Sequence, residues 1–124
     1  MNIPKFIRFW FPVCIYSGII FYASSLQGVD IPVHVSNIDK FAHVFEYIPF
    51  GFLVARAFFN TGDLFCKKNF MILSIICSFL YGVSDEYHQL FVVTRDASIL
   101  DILADTLGGI IGGTVFSIIN SRTK

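Results

Sequence analysis

From Phe9 to Val29 the chain carries no charged side chain. At 1.5 Å of rise per residue, a helix over that run crosses the ~30 Å hydrocarbon core of a bilayer, whereas a soluble helix of that length keeps a polar face. Three further segments reach spanning length, at about 41–60, 69–89 and 98–121. The composition agrees, with 55% hydrophobic and 15% charged residues and a mean hydropathy of +0.68. These features predict an all-α membrane protein, a single transmembrane domain over 1–124 forming a bundle of four transmembrane helices. A chain of 124 residues is too short for a twelve-helix transporter, and its long apolar runs lack the alternation of an outer-membrane barrel. Nine basic and nine acidic residues cancel, which leaves no polycation for nucleic acid. Cys14 and Cys77 sit in apolar runs and Cys66 lies beside Lys67 and Lys68, so the cysteines read as small apolar fillers rather than a disulfide framework.

The charges sort by side. Lys5, Arg8, Lys67, Lys68, Arg122 and Lys124 fall at one end of the spans, with Lys40 and Arg95 at the other. Arg56 lies within the second span toward the basic end, where it can snorkel. By the positive-inside rule both termini are cytoplasmic, in a multi-pass protein of the cell membrane. The basic start and the small residues Ala23, Ser24 and Ser25 also fit a signal peptide, a reading that the length of the apolar run disfavours. Eight of the acids, Asp30, Asp39, Glu46, Asp85, Glu86, Asp96, Asp101 and Asp105, lie toward the outer end. The polar chemistry is therefore expected at the outer face.

Helical periodicity places Asp39, His43 and Glu46 on one stripe of the second span, bordered by Tyr47. On the third span Asp85 and Gln89 are a turn apart, with Glu86 and His88 beside them. Ser98, Asp101, Asp105, Gly108 and Gly112 share a face of the fourth. Structural roles account for part of this set. Ser36 with Asp39, and Ser98 with Asp101, fit capping boxes, and Asp39 and Asp101 suit helix N-termini. Asp85 and Glu86 instead oppose the dipole at a C-terminus, which calls for a partner, and Glu46 and Asp105 lie deeper still, where an unpaired carboxylate is costly. His43 reads equally as a structural histidine bonded to Asp39 or Tyr47 and as a functional one among carboxylates. His88 is expected at the interface and His34 in a loop. The pairs Gly108 with Gly112 and Gly109 with Gly113 predict close helix packing. Pro49, which denies the Phe45 carbonyl its donor, predicts a bend in the second span, and Pro12 one in the first. Leu90 to Val93, followed by Thr94-Arg95-Asp96, fits a segment that dips into the interface and returns. Arg95 is either counterion to the acids or a fork for a phosphate or carboxylate.

The string Asp39-Lys40-x-x-His43-x-x-x-Tyr47, followed by Asp85-Glu86-x-x-Gln89, Arg95, Ser98, Asp101, Asp105, Gly108 and Gly112, resembles the VanZ-like family from about residue 39 to 113. Two positions depart from the family pattern: Asp105 stands where Asn is usual, and Val93-Thr94 where a Pro-Gly turn is common. The resemblance implies a small multi-pass membrane protein and, through the family's namesake, a link to resistance against teicoplanin, a lipoglycopeptide directed at cell-wall precursors.

Three kinds of function compete. The favoured one is a cell-envelope module whose outer site, built from Asp39, Lys40, His43, Tyr47, Asp85, Glu86, Gln89, Arg95, Ser98, Asp101 and Asp105, binds a lipid-linked cell-wall precursor, a phospholipid headgroup or a glycopeptide-type headgroup. The second is an intramembrane enzyme acting on such a lipid, with His43, Glu86 or Asp85 as general acid or base. There Asp39, Asp85, Asp101 and Asp105 would hold a divalent cation, Mg, Ca or Mn, the ions that carboxylate oxygens suit. No nucleophilic Ser or Cys paired with His is evident. The third, an ion path, lacks a chain of ionisable groups between Asp105 and Arg56. A purely structural membrane subunit fits the dense inward polar residues less well.

Overall fold

The computed structural model describes residues 3–26 and 36–123, with side chains from residue 38 onward in the second stretch. His34, Asp30, the tail of the first apolar run and the Ser36 side chain of the expected capping box lie outside the described residues. Four helices follow in order: α1 Lys5–Ser25, α2 Ser36–Asn60, α3 Leu64–Gln89 and α4 Ile99–Arg122. Each is long and apolar enough to cross a membrane. No strand occurs among the described residues.

α1 and α3 begin before their apolar runs, for local reasons. The Pro4 carbonyl accepts from Arg8 N–H at 3.0 Å and opens α1 ahead of Phe9. In α3 the Asp63 carboxylate caps the first turn, accepting from Cys66 N–H at 2.8 Å, and Lys67 and Lys68 enter the helix at no cost to its backbone bonds. That bond holds the exposed Asp63 carboxyl below its ordinary range. Gly62, at φ +93°, lets α2 and α3 reverse within three residues. At the other end Leu90 to Arg95 forms a succession of tight turns, with Phe91 N–H on His88 O at 3.0 Å and Arg95 N–H on Val92 O at 3.2 Å. The exposed apolar tip is carried by Leu90, Phe91 and Val93. Both Pro12 and Pro49 sit inside unbroken helices. One turn from Pro49, the Glu46 carbonyl takes a further hydrogen bond, 2.8 Å from the Tyr16 hydroxyl.

The packing is inverted relative to a soluble bundle. Phe, Ile and Leu side chains such as Phe45, Ile72, Phe79, Leu103 and Ile119 face outward, while Ser74, Ser78, His43, Asp85, Glu86, Asp101 and Asp105 are buried. Apolar solvent outside and small or polar residues at the helix seams is the expected arrangement in lipid. The seam between α2 and α4 is the closest. A Cβ at Gly108 would strike the Val44 carbonyl and Tyr47, one at Gly112 the Ile48 carbonyl, and one at Gly51 the backbone of Gly109. The Ser74 hydroxyl donates to the Gly51 carbonyl at 2.9 Å and ties α3 to the same seam. α1 lies at the margin, held by Tyr16, by Tyr81 donating to the Ser17 carbonyl at 2.5 Å, and by Trp10 edge-on to Phe58 at 5.0 Å. Arg56 is covered rather than bare, its guanidinium 4.8 Å above the centre of the Phe9 ring.

Candidate functional site

The polar residues collect at one end of the bundle, where α1 and α3 terminate and α2 and α4 begin. His43, on α2, is at the centre of this group. Its Nδ1 lies 2.8 Å from Asp105 Oδ1 of α4, and since an ionised carboxylate only accepts, the imidazole donates. On the other side of the ring Nε2 lies 4.0 Å from Asp101 Oδ2, too far for a hydrogen bond. Asp101 is held in turn by Lys40, whose Nζ is 3.8 Å from Oδ1.

α3 contributes from the opposite wall. Residues 82, 85, 86 and 89 share one inward face, and Asp85, Glu86 and Gln89 are all buried there. The partner that Glu86 needs at a helix C-terminus is the backbone of Ser98, whose N–H donates to Oε2 at 2.8 Å. Gln89 lies at the limit of a hydrogen bond to Asp85 Oδ2, 3.5 Å. Gly82 makes room across the seam, because a Cβ there would stand 2.9 Å from Asp105 Oδ2.

Between α1, α2 and α3 lies a polar cavity of about 90 Å³, lined by Ser24, Asp39, His43, Glu46, Asp85 and Arg95 among others. On the far side of α2 runs an apolar groove of about 450 Å³, bounded by Phe41, Val44, Leu103 and Leu107 and headed by Lys40. The two are linked by the chain Lys40, Asp101, His43.

Several expectations change at this point. Asp39, Asp85, Asp101 and Asp105 do not form one set of cation ligands. They divide into two groups that share His43, one with Asp85, Glu86 and Asp105, all buried, and one with Asp39 and Asp101. Asp105, one turn further along α4 than Asp101, sits beside the α3 acids, whereas Asp101 in the first turn of α4 groups with Asp39 in the first turn of α2. Ser98 is the N-cap residue of α4 but its hydroxyl makes no capping bond, and its backbone serves Glu86 instead. His43 bonds Asp105, not Asp39 or Tyr47. Tyr47 is fully buried against Phe50 and Tyr81, below the polar cavity. Arg95 makes no ion pair among the described residues; its Nε reaches the Leu26 carbonyl at 3.4 Å, while its side chain lines the cavity. His88 turns to α1, stacking on Phe21 with ring centres 4.3 Å apart and meeting Ser25 Oγ at 2.9 Å.

The first span is the part of the site least legible in the sequence. Ala23 and Ser24 form one wall of the cavity and Ser25 anchors His88. Their small size is the only sign of this along the chain, and small residues at that point fit a signal-peptide cleavage site equally well. Gly82 gives no sign by itself either, although it shares a helical face with Asp85, Glu86 and Gln89.

Fold and site together define a small multi-pass membrane protein with a histidine and carboxylate cluster buried at one end of a four-helix bundle. The chain belongs to the VanZ/LLP1 family, whose model matches residues 5–120 and so takes in α1 as well as the polar string on α2 to α4. No curated protein and no solved structure matches it.

Proposed function

We propose that the protein is a cell-envelope membrane protein whose polar end faces outward and receives the headgroup of a membrane lipid or a lipid-linked cell-wall precursor. The observation that carries this reading is the pairing of a small polar cavity with an apolar groove through Lys40, Asp101 and His43. At ~30 Å³ per water in the liquid, about 90 Å³ admits a phosphate, an amine or a sugar edge, not a whole glycopeptide. A contribution to glycopeptide resistance would therefore run through the lipid the protein handles rather than through capture of the drug. Arg95 and Lys40 supply donors for phosphate or carboxylate, and Asp39, Glu46 and Asp85 accept from amines and hydroxyls. An acyl or isoprenoid chain would lie along Phe41, Val44, Leu103 and Leu107.

Native mass spectrometry of the purified protein after exposure to its own membrane extract tests this, with wild type beside Arg95→Ala. We expect a lipid adduct on wild type, reduced at least tenfold in the variant, with unchanged helical content and melting temperature. An identical lipid complement on both would sink the headgroup reading.

A second reading, an enzyme acting on that lipid, draws on one specific feature. His43 is oriented by the buried Asp105 and has Asp101 across its other nitrogen, an arrangement suited to a general base. Turnover of a captured lipid that survives both His43→Ala and Glu86→Gln would remove these residues from any chemistry.

A further inference from the structure

We infer that His43, Asp85, Glu86 and Asp105 form a binding site for one divalent cation of the Mn²⁺ class at the floor of the polar cavity. One nitrogen of His43 and one oxygen from each carboxylate lie within 4.8 Å of one another, donated by three helices, and an ion bound at Nδ1 replaces the proton now shared with Asp105, which leaves to solvent. Two ligands on one ion at ~2.1 Å stand no more than about 4.2 Å apart, so shifts of a few tenths of an ångström bring the four onto a common centre.

The second observation is independent of this clustering. Glu86 is 3% exposed and Asp105 0%, yet Glu86 Oε1 and Asp105 Oδ2 make no hydrogen bond. Their other oxygens are used, by Ser98 N–H and by His43, which leaves each carboxylate with one free acceptor inside the cluster. Among the described residues no lysine or arginine lies within ion-pair distance of Asp85, Glu86 or Asp105. Three buried carboxylates share one imidazole, with no other described cation at ion-pair distance, and a dication satisfies both the excess negative charge and the orphaned oxygens. Three hard oxygens and one imidazole favour Mn²⁺ over Ca²⁺, which prefers oxygen alone, and over softer ions, which prefer sulfur. His43 and Asp85 also line the cavity, so the ion has a route in and presents its remaining positions to whatever occupies that space.

The site does not depend on the lipid reading, and the experiment omits lipid so that the two can fail separately. Protein in detergent, stripped with chelator, is titrated with Mn²⁺ alone and followed by electron paramagnetic resonance. We expect one Mn²⁺ per chain and a ¹⁴N modulation from His43. Affinity should fall at least tenfold in Glu86→Gln and in Asp105→Asn, and stay unchanged in Asp63→Asn at the opposite end of the bundle. Helical content measured on each sample shows which variants are folded, and Asp85→Asn replaces any that is not. Absence of binding by wild type, which is how protonated carboxylates would behave, overturns the site, as does equal binding by the cluster variants. Loss confined to Asp39→Asn and Asp101→Asn overturns it too, by moving the ion to the other group around His43.

Discussion

His43 and Asp105 are 62 residues apart in the chain, yet the imidazole Nδ1 stands 2.8 Å from the carboxylate Oδ1, with Asp105 wholly buried. This contact bridges α2 and α4 one turn beyond the close backbone approach at Gly108 and sets the orientation of the ring at the centre of the polar cluster.

The acceptor matters more than its charge for the integrity of this bridge. Asp105→Asn preserves an oxygen for the His43 donor and should cost no more than about 1 kcal/mol, whereas Asp105→Ala strands a buried donor at about 1–3 kcal/mol. Thermal denaturation in detergent followed by circular dichroism checks the order. Equal melting temperatures for the two variants would mean that the contact does not support the fold.

Thr94 adopts φ +72°, a left-handed conformation that a β-branched residue takes at a cost of ~1–2 kcal/mol. It occupies the second position of the turn where a Pro-Gly pair is common in the family resemblance. Thr94→Gly should relieve the strain, and after the ~0.5–1 kcal/mol that glycine loses in backbone entropy the net gain is at most about 1.5 kcal/mol. The same melting assay reads it, and a lower melting temperature would contradict the assigned strain.

Glycines along the chain should respond unequally to one added methyl. Gly112→Ala drives a Cβ into the Ile48 carbonyl, and the rigid backbone of α2 must yield, at about 1–3 kcal/mol or more. Gly18→Ala meets nothing within 4 Å in the middle of α1 and should gain up to about 1 kcal/mol from helix propensity. Parallel melts of both variants decide whether the α2–α4 seam has the closeness described.

Glu86 ties the end of α3 to the start of α4 through the Ser98 N–H. Glu86→Gln retains an acceptor oxygen, while Glu86→Ala leaves the amide to water. Hydrogen exchange at Ser98 should therefore accelerate at least tenfold in the alanine variant and change little in the glutamine one. Similar exchange in all three proteins would show that the bond is not maintained in solution.

Much of the architecture is legible along the chain, because the requirement for about 20 apolar residues per crossing acts on each segment separately. The long helices, the stripe of Asp39, His43 and Glu46, and the small-residue face of α4 all follow from run length and a 100° repeat. Helix starts fall earlier than the apolar runs suggest where a cap lies outside the run, as at Pro4 and Asp63. Capping by Ser98 is a local expectation that a distant carboxylate displaces, since Glu86 takes its amide and the hydroxyl makes no cap.

What the sequence by itself determined is which residues share a face within each helix, a matter of covalent geometry. Which faces meet was decided only by tertiary structure. The rotation and depth of α2 against α4 depend on backbone carbonyls seated at Gly108 and Gly112, and those contacts bring Asp105 to His43. The same packing divides the acids into two groups around one ring and places Ser24 of α1 on the cavity wall. Periodicity assigns an angle within one helix, and only the packed seam assigns one helix to another.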